Sequence, residues 1–151
     1  MVRRMFRLEA EVDRTRRDLL RSRLRDTNTN ASPALRAMRG TPEEREQPLH
    51  LWVMDEAGDL AGGLVGHTWG TWLHVALLWV DDRHRGAGLG ARLLTEAERL
   101  ATEDRGCLRS RLETWDFQAP DFYRKHGYEV VCAIEDYPPG VTEYTLTKHL
   151  G

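Results

Sequence analysis

Val80-Asp81-Asp82-Arg83-His84-Arg85-Gly86-Ala87-Gly88-Leu89-Gly90-Ala91 separates an apolar run from a run with helical periodicity. Before it, Thr71–Val80 ends in the uninterrupted apolar stretch Val75–Val80, which predicts a strand buried on both faces. After it, Leu89, Leu93, Ala97, Leu100 and Ala101 fall on one face of a helix expected from Leu89 to about Glu103, with Gly106 as its C-terminal cap. A helix start leaves about four backbone N–H groups unpaired and carries partial positive charge. Gly86, Gly88 and Gly90 remove Cβ atoms at that start, so the main chain can wrap a phosphate, and Arg85 adds a charged donor. No Gly-Lys-Ser/Thr follows, which excludes a Walker loop. A dinucleotide-binding glycine pattern would need a first strand before it and an acid about twenty residues beyond it.

Working outward, Leu49–Met54 and Leu60–Thr68 flank Asp55-Glu56-Ala57-Gly58-Asp59 as a hairpin. Cys107–Thr114 reads as a strand, Ala119–His126 as a short helix closed by Gly127, and Tyr128–Ile134 and Val141–Leu150 as strands around a Pro-Pro-Gly turn. Upstream, Phe6–Val12 alternates like a strand, and Asp13 caps a helix to about Asp26. Thr27–Pro33 is a polar break, Pro33–Arg39 a short helix closed by Gly40, and Thr41–Pro48 a mobile acidic loop. The order predicts one mixed α/β domain over residues 1–151, built around a single sheet.

Composition narrows the class. The chain has 151 residues, 40% hydrophobic and 30% charged, with a net charge of −2, as expected of a soluble globular protein without a nucleic-acid footprint. No apolar run approaches the roughly 20 residues of a membrane span, and the basic start Met1–Arg7 has no apolar run behind it, so neither a membrane segment nor a secretory signal is expected. Cys107 and Cys132 are too few for a disulfide scaffold or a four-cysteine zinc site and read as small buried hydrophobes. The expected compartment is the reducing cytoplasm. His67, His84, His126 and His149 show no metal-ligand spacing, so no metal is expected. Trp52, Trp69, Trp72, Trp79 and Trp115 fit core or sheet-face packing better than an acceptor pocket.

Arg85-x-x-Gly88-x-Gly90 after a buried strand resembles the acyl-CoA pyrophosphate motif of the GNAT superfamily of N-acetyltransferases. Ala119-Pro120-Asp121-Phe122-Tyr123-Arg124-Lys125-His126-Gly127-Tyr128 resembles that superfamily's Ala-x-x-Phe-Tyr-x-Lys-x-Gly-Phe helix, at matching separation. The resemblance implies a GNAT-like fold, a central splayed and mostly antiparallel sheet flanked by helices. The strand Thr71–Val80 would part from Cys107–Thr114 to admit the pantetheine arm of acetyl-CoA. Backbone groups at Leu78, Trp79 and Val80 would pair with that arm. Arg85, Gly86, Ala87, Gly88, Leu89 and Gly90 would hold the pyrophosphate. Tyr123 matches the family's usual general acid.

The base is open. His74 is the titratable group on the strand before the loop, sharing a face with Ala76 and Leu78 by period two. Glu113 on the parting strand is the alternative, and water relayed by either is a third. Asp116 stands where the family often has Asn. It suits a cap of the following helix, and Gln118 or main-chain groups would then contact the cofactor arm.

The expected activity is direct acetyl transfer from acetyl-CoA to the primary amine of a small molecule, with a protein amine second. Acidic Glu43–Glu46 favours a cationic acceptor, whereas residues 1–25, with nine Arg against four acids, favour the opposite. A non-catalytic acyl-CoA sensor and a generic α/β interaction module are the competing readings. Exposed sheet edges make a homodimer an expectation.

Overall fold

The computed structural model describes residues 5–151; the basic opening Met1–Arg4 lies outside them. The chain forms two compact units, divided between Arg39 and Gly40.

The first unit is helical. Asp13 accepts a hydrogen bond from the Arg16 backbone N–H and starts α1, Arg14–Ala31. The break expected at Thr27 does not form: the Thr27 hydroxyl donates to the Arg23 carbonyl, and the helix continues until Pro33 disfavours the α conformation at Ser32. Ser32 then caps α2, Pro33–Met38, by accepting from Leu35 N–H. The strand expected over Phe6–Val12 is absent. Phe6, Leu8 and Val12 are exposed and no ladder includes them, because alternation favours a strand only where a partner supplies the hydrogen bonds.

The second unit is a six-stranded sheet in the order β1-β2-β3-β4-β6-β5. The strands are β1 Gln47–Met54, β2 Leu60–Trp69, β3 Trp72–Val80, β4 Arg109–Trp115, β5 Glu129–Ile134 and β6 Glu143–His149. All neighbours are antiparallel except β3 and β4. The crossover between that parallel pair contains α3, Leu89–Arg105, and α4, Pro120–Lys125, follows β4. Acidic Thr41–Pro48 is pinned, not loose: Pro42–Glu44 forms a 3-10 turn, and Gly70 N–H donates to the Glu43 carbonyl.

The core lies between α3 and one face of the sheet. Leu93, Leu94, Ala97 and Ala101 pack with Leu49, Leu64, Leu73, Val75, Leu112, Tyr128 and Leu146. Gly106 ends α3 in the left-handed region at φ +65°, as its sequence position predicts. The tryptophans are not core residues; Trp52, Trp69 and Trp79 are exposed. Cys107 is buried, but Cys132 is exposed on edge strand β5, where the register shifts between Val130 and Cys132.

Candidate active site

The defining feature is the seam between β3 and β4. Trp72–Val75 run in register with Arg109–Leu112, and there the pairing stops. β3 continues to Val80 bonded only to β2, while Glu113–Trp115 of β4 remain bonded to β6. The two strands therefore part beyond Val75 and Leu112, as the family resemblance implies.

A bulge accompanies the parting. Gly66 pairs with Val75 and Val65 with Leu77, so Ala76 is an extra residue without a partner on β2. The bulge reverses the alternation of β3. Leu78 and Val80 join Leu73 and Val75 on the core side, whereas Leu77 and Trp79 are 64% and 49% exposed. The grouping of His74 with Ala76 and Leu78 is thus corrected, as is burial of this strand on both faces. Gly66 permits the bulge, because a Cβ there would collide with the His74 carbonyl.

Main-chain direction follows from the same register. Asp81 N–H donates to the Ala61 carbonyl, and a Cβ on Gly62 would lie 2.9 Å from the Trp79 carbonyl, so Asp81 and Trp79 turn their peptide groups toward β2. By alternation Leu78 and Val80 turn theirs toward the open seam. Trp79 differs here from expectation, since its peptide is committed to β2.

At the mouth of the seam, Asp81 accepts from the Arg83 backbone N–H and side chain, and those bonds hold its carboxyl far below the ordinary value. Gly86 and Gly88 adopt φ +86° and +77°, so these glycines are required for backbone conformation; nothing lies within 4 Å of a Cβ at either. Gly88 is the N-cap of α3 and offers no side chain to the first-turn N–H groups. Ala87 and Leu89 flank it. A Cβ on Gly90 would make ordinary contact with Phe122 at 3.5 Å, which places the start of α4 against the start of α3. Arg85 Nε donates to the Val80 carbonyl at 3.2 Å, so the arginine folds back on the end of β3.

Tyr123 on α4 is 8% exposed, between the ring edges of Phe122 and Tyr128. Burial pushes its phenol up to about 12. Among the described residues its hydroxyl has no hydrogen-bond partner, so its proton is free for a ligand.

His74 and Glu113, read from the sequence as alternatives, are joined. His74 Nε2 lies 2.8 Å from Glu113 Oε2, with both side chains just over a quarter exposed. Arg111 Nη2 donates to Glu113 Oε1 at 2.7 Å. Burial raises the Glu113 pKa, but the hydrogen bonds from His74 and Arg111 outweigh it and hold the carboxyl below its ordinary value. The His67 ring packs edge-on to His74, 5.1 Å between centroids, and its Nδ1 lies 3.7 Å from Glu46. Sequence reading missed Arg111. The available signal was the alternation Arg109, Arg111, Glu113, which puts all three on one face of β4.

Asp116 does not cap α4, whose N-cap is Ala119 without a side-chain bond. Asp116 instead exchanges hydrogen bonds with Thr142, its backbone N–H donating to the Thr142 carbonyl and Oδ2 accepting from Thr142 N–H. Gln118 Oε1 accepts from Trp115 N–H at 3.1 Å, leaving its Nε2 as a donor at the open end of β4. No cluster of His, Cys, Asp or Glu suited to a metal ion occurs among the described residues, and no helix there is long and apolar enough to cross a membrane.

Comparison with known proteins matches this architecture. The profile of the acetyltransferase (GNAT) domain covers residues 47–130. A blasticidin-S acetyltransferase from Streptomyces morookaense is 53% identical over 131 residues, 85% of this chain and 96% of that protein. An acetyltransferase from Agrobacterium fabrum is 35% identical over 106 residues, 70% of this chain and 77% of the relative. Among solved structures, an acetyltransferase from Bacillus cereus superposes with a TM-score of 0.81 at 29% identity, covering 95% of this chain and 97% of that one. With its parted parallel seam and glycine-rich helix start, the chain belongs to the GNAT acetyltransferase family and is an acyltransferase.

Proposed function

We propose that the protein transfers the acetyl group of acetyl-CoA to a primary amine of a small molecule, with blasticidin S the first acceptor to test. The observation that carries this reading is the seam that opens beyond Val75 and Leu112 directly beside the Gly86–Gly90 loop. The residues present fit such a donor. An extended amide-bearing arm finds main-chain partners at Leu78 and at the N–H of Val80. A pyrophosphate finds the uncapped first turn of the 17-residue α3. Arg85 and the Gln118 amide are additional donors at the two sides of the mouth. Acetyl-CoA supplies an acyl thioester.

The chain's own residues manage the protons. The ammonium form of an acceptor must lose a proton before its nitrogen can attack. The His74–Glu113 pair supports that step, since an imidazole nitrogen can take up a proton and the carboxylate lies 2.8 Å from the other nitrogen. Tyr123 stays protonated at neutral pH and has an unengaged hydroxyl. It donates to the departing sulfur as the C–S bond breaks and regains a proton from the new amide nitrogen. The balance is one proton released to water per acetyl group transferred.

The test incubates the purified protein with acetyl-CoA and blasticidin S, then with a panel of other small amines and a lysine-rich peptide. Free thiol and product mass are followed. Acetylation of blasticidin S is the expected result. Acetylation of the peptide alone would overturn the acceptor class. Tight binding of acetyl-CoA with no transfer to any amine would favour a sensor.

A further inference from the structure

Glu113 uses both oxygens, and that constrains His74. A carboxylate only accepts hydrogen bonds. Its Oε1 accepts from Arg111 Nη2 at 2.7 Å, and its Oε2 faces His74 Nε2 at 2.8 Å. In a neutral imidazole one nitrogen carries the proton and the other the lone pair. Nε2 opposite a carboxylate is the protonated one, which leaves the lone pair on Nδ1. Resting on the acetyltransferase reading above, we propose that Arg111 is a positioning residue. By holding Glu113 Oε1 it presents Oε2 to His74 Nε2–H, which makes Nδ1 the atom that takes the proton from the acceptor ammonium.

Three further observations support this. Arg111 and Glu113 stand two residues apart on one face of β4, so their pairing orders little chain. His74 and Arg111 are register partners in the last stretch before the seam parts, which puts the triad where the strands begin to separate. Among the described residues, Glu113 is the carboxylate bonded to His74, through Nε2. From β2, His67 meets the imidazole edge-on, and Glu46 beside it engages His67. On its own strand, the neighbour Trp72 lies beneath Arg109, and β4 brings Arg111 as register partner and Glu113 as hydrogen-bond partner.

The step balances. The ammonium gives one proton to His74 Nδ1, forming an imidazolium held by Glu113. The freed lone pair makes the C–N bond as the C–S bond breaks, and His74 returns its proton to water.

The test compares the native protein with Arg111→Gln and Arg111→Lys. The first readout is the imidazole nitrogen and proton shifts of His74 by NMR, on protein without ligand. The native chain is expected to show the Nε2–H tautomer, with Arg111→Gln giving mixed tautomers and Arg111→Lys most of the native signature. The second readout is the pH dependence of acetylation. Arg111→Gln is expected to lower kcat about 10- to 100-fold with little change in KM, as when the hydrogen-bonded support of a working imidazole is removed. Loss of the guanidinium also favours the imidazolium, so the acid limb should move to higher pH. An Nδ1–H tautomer in the native protein would overturn the proposal. So would an Arg111→Gln protein that loses activity with the tautomer and pH limb unchanged, the sign of a structural role. If the native protein shows the Nε2–H tautomer but acetylates no amine, it is the activity reading that fails.

Discussion

On the α3 side of β4, the buried Tyr128 hydroxyl donates to Glu98 at 2.9 Å and accepts from the Ser110 hydroxyl at 2.8 Å, and Glu98 ties it to Lys148. On the other side, one residue along, Arg111 and Glu113 hold His74. Both are networks of charged and hydrogen-bonding groups on the same strand. The first closes on itself: Ser110, Tyr128, Glu98 and Lys148 are bonded to one another. It joins α3, β4 and β6 and leaves nothing for a ligand. The second stops at an imidazole nitrogen beside a parted seam. Satisfied polar groups specify the fold; a group with valence to spare at an opening specifies chemistry.

The comparison breaks most sharply at Tyr123. Replacing it with Phe removes a hydroxyl that bonds to nothing in the protein, so the melting temperature should barely move. Acetylation should fall on the order of 10²- to 10⁴-fold, the range for loss of a general acid. A large loss of stability with little loss of rate would move Tyr123 into the structural network.

Lys148→Met attacks the closed network. It leaves Glu98, 13% exposed, without its ion-pair partner at 2.7 Å. The expected cost is about 2–3 kcal/mol in denaturant unfolding, under the value for a fully buried pair because Lys148 keeps contact with water. Tyr128→Phe should cost about 1–2 kcal/mol, since Ser110 and Glu98 each lose a hydrogen bond. Neither change should alter the His74 tautomer signature if the two faces of β4 are independent.

The smallest effect separates the networks by pH. Glu113 is held below its ordinary value, so its contribution to stability is present in full above that value. It is lost as pH falls through the lowered one. Glu113→Gln should lower stability slightly at neutral pH and leave it unchanged below that window, so the acid limb of the melting curve flattens. An unaltered acid limb would mean that the carboxylate is not stabilised by its partners in the folded state.

How much of this was legible in the sequence follows from how local each feature is. Gly106 and Gly127 marked helix ends because a left-handed backbone at those points is a local demand. The apolar periodicity of α3 and the Gly86–Gly90 loop are equally local, and both stand where the sequence puts them. The bulge at Ala76 was not legible. It depends on pairing with β2 and on Gly66 meeting the His74 carbonyl, and its effect is to move Leu78 to the opposite face from His74. The bond between His74 and Glu113 depends on parallel register between residues 39 apart, which no pattern along either strand encodes. Asp116 has the composition of a helix cap, yet its oxygen accepts from Thr142, because the chain after β4 turns against the start of β6. Alternation over Phe6–Val12 was a real pattern without a partner to complete it.

The proposed acetyl-CoA site is the open end of the β3–β4 seam, beyond the zipped stretch that holds His74 and Arg111. Amide hydrogen exchange with and without acetyl-CoA tests it most directly. Slowed exchange at Leu78, Val80 and Gly86–Ala91, with Leu73, Ser110 and Leu112 unchanged, is the predicted result. Protection confined to other segments, or none at saturating acetyl-CoA, would contradict it.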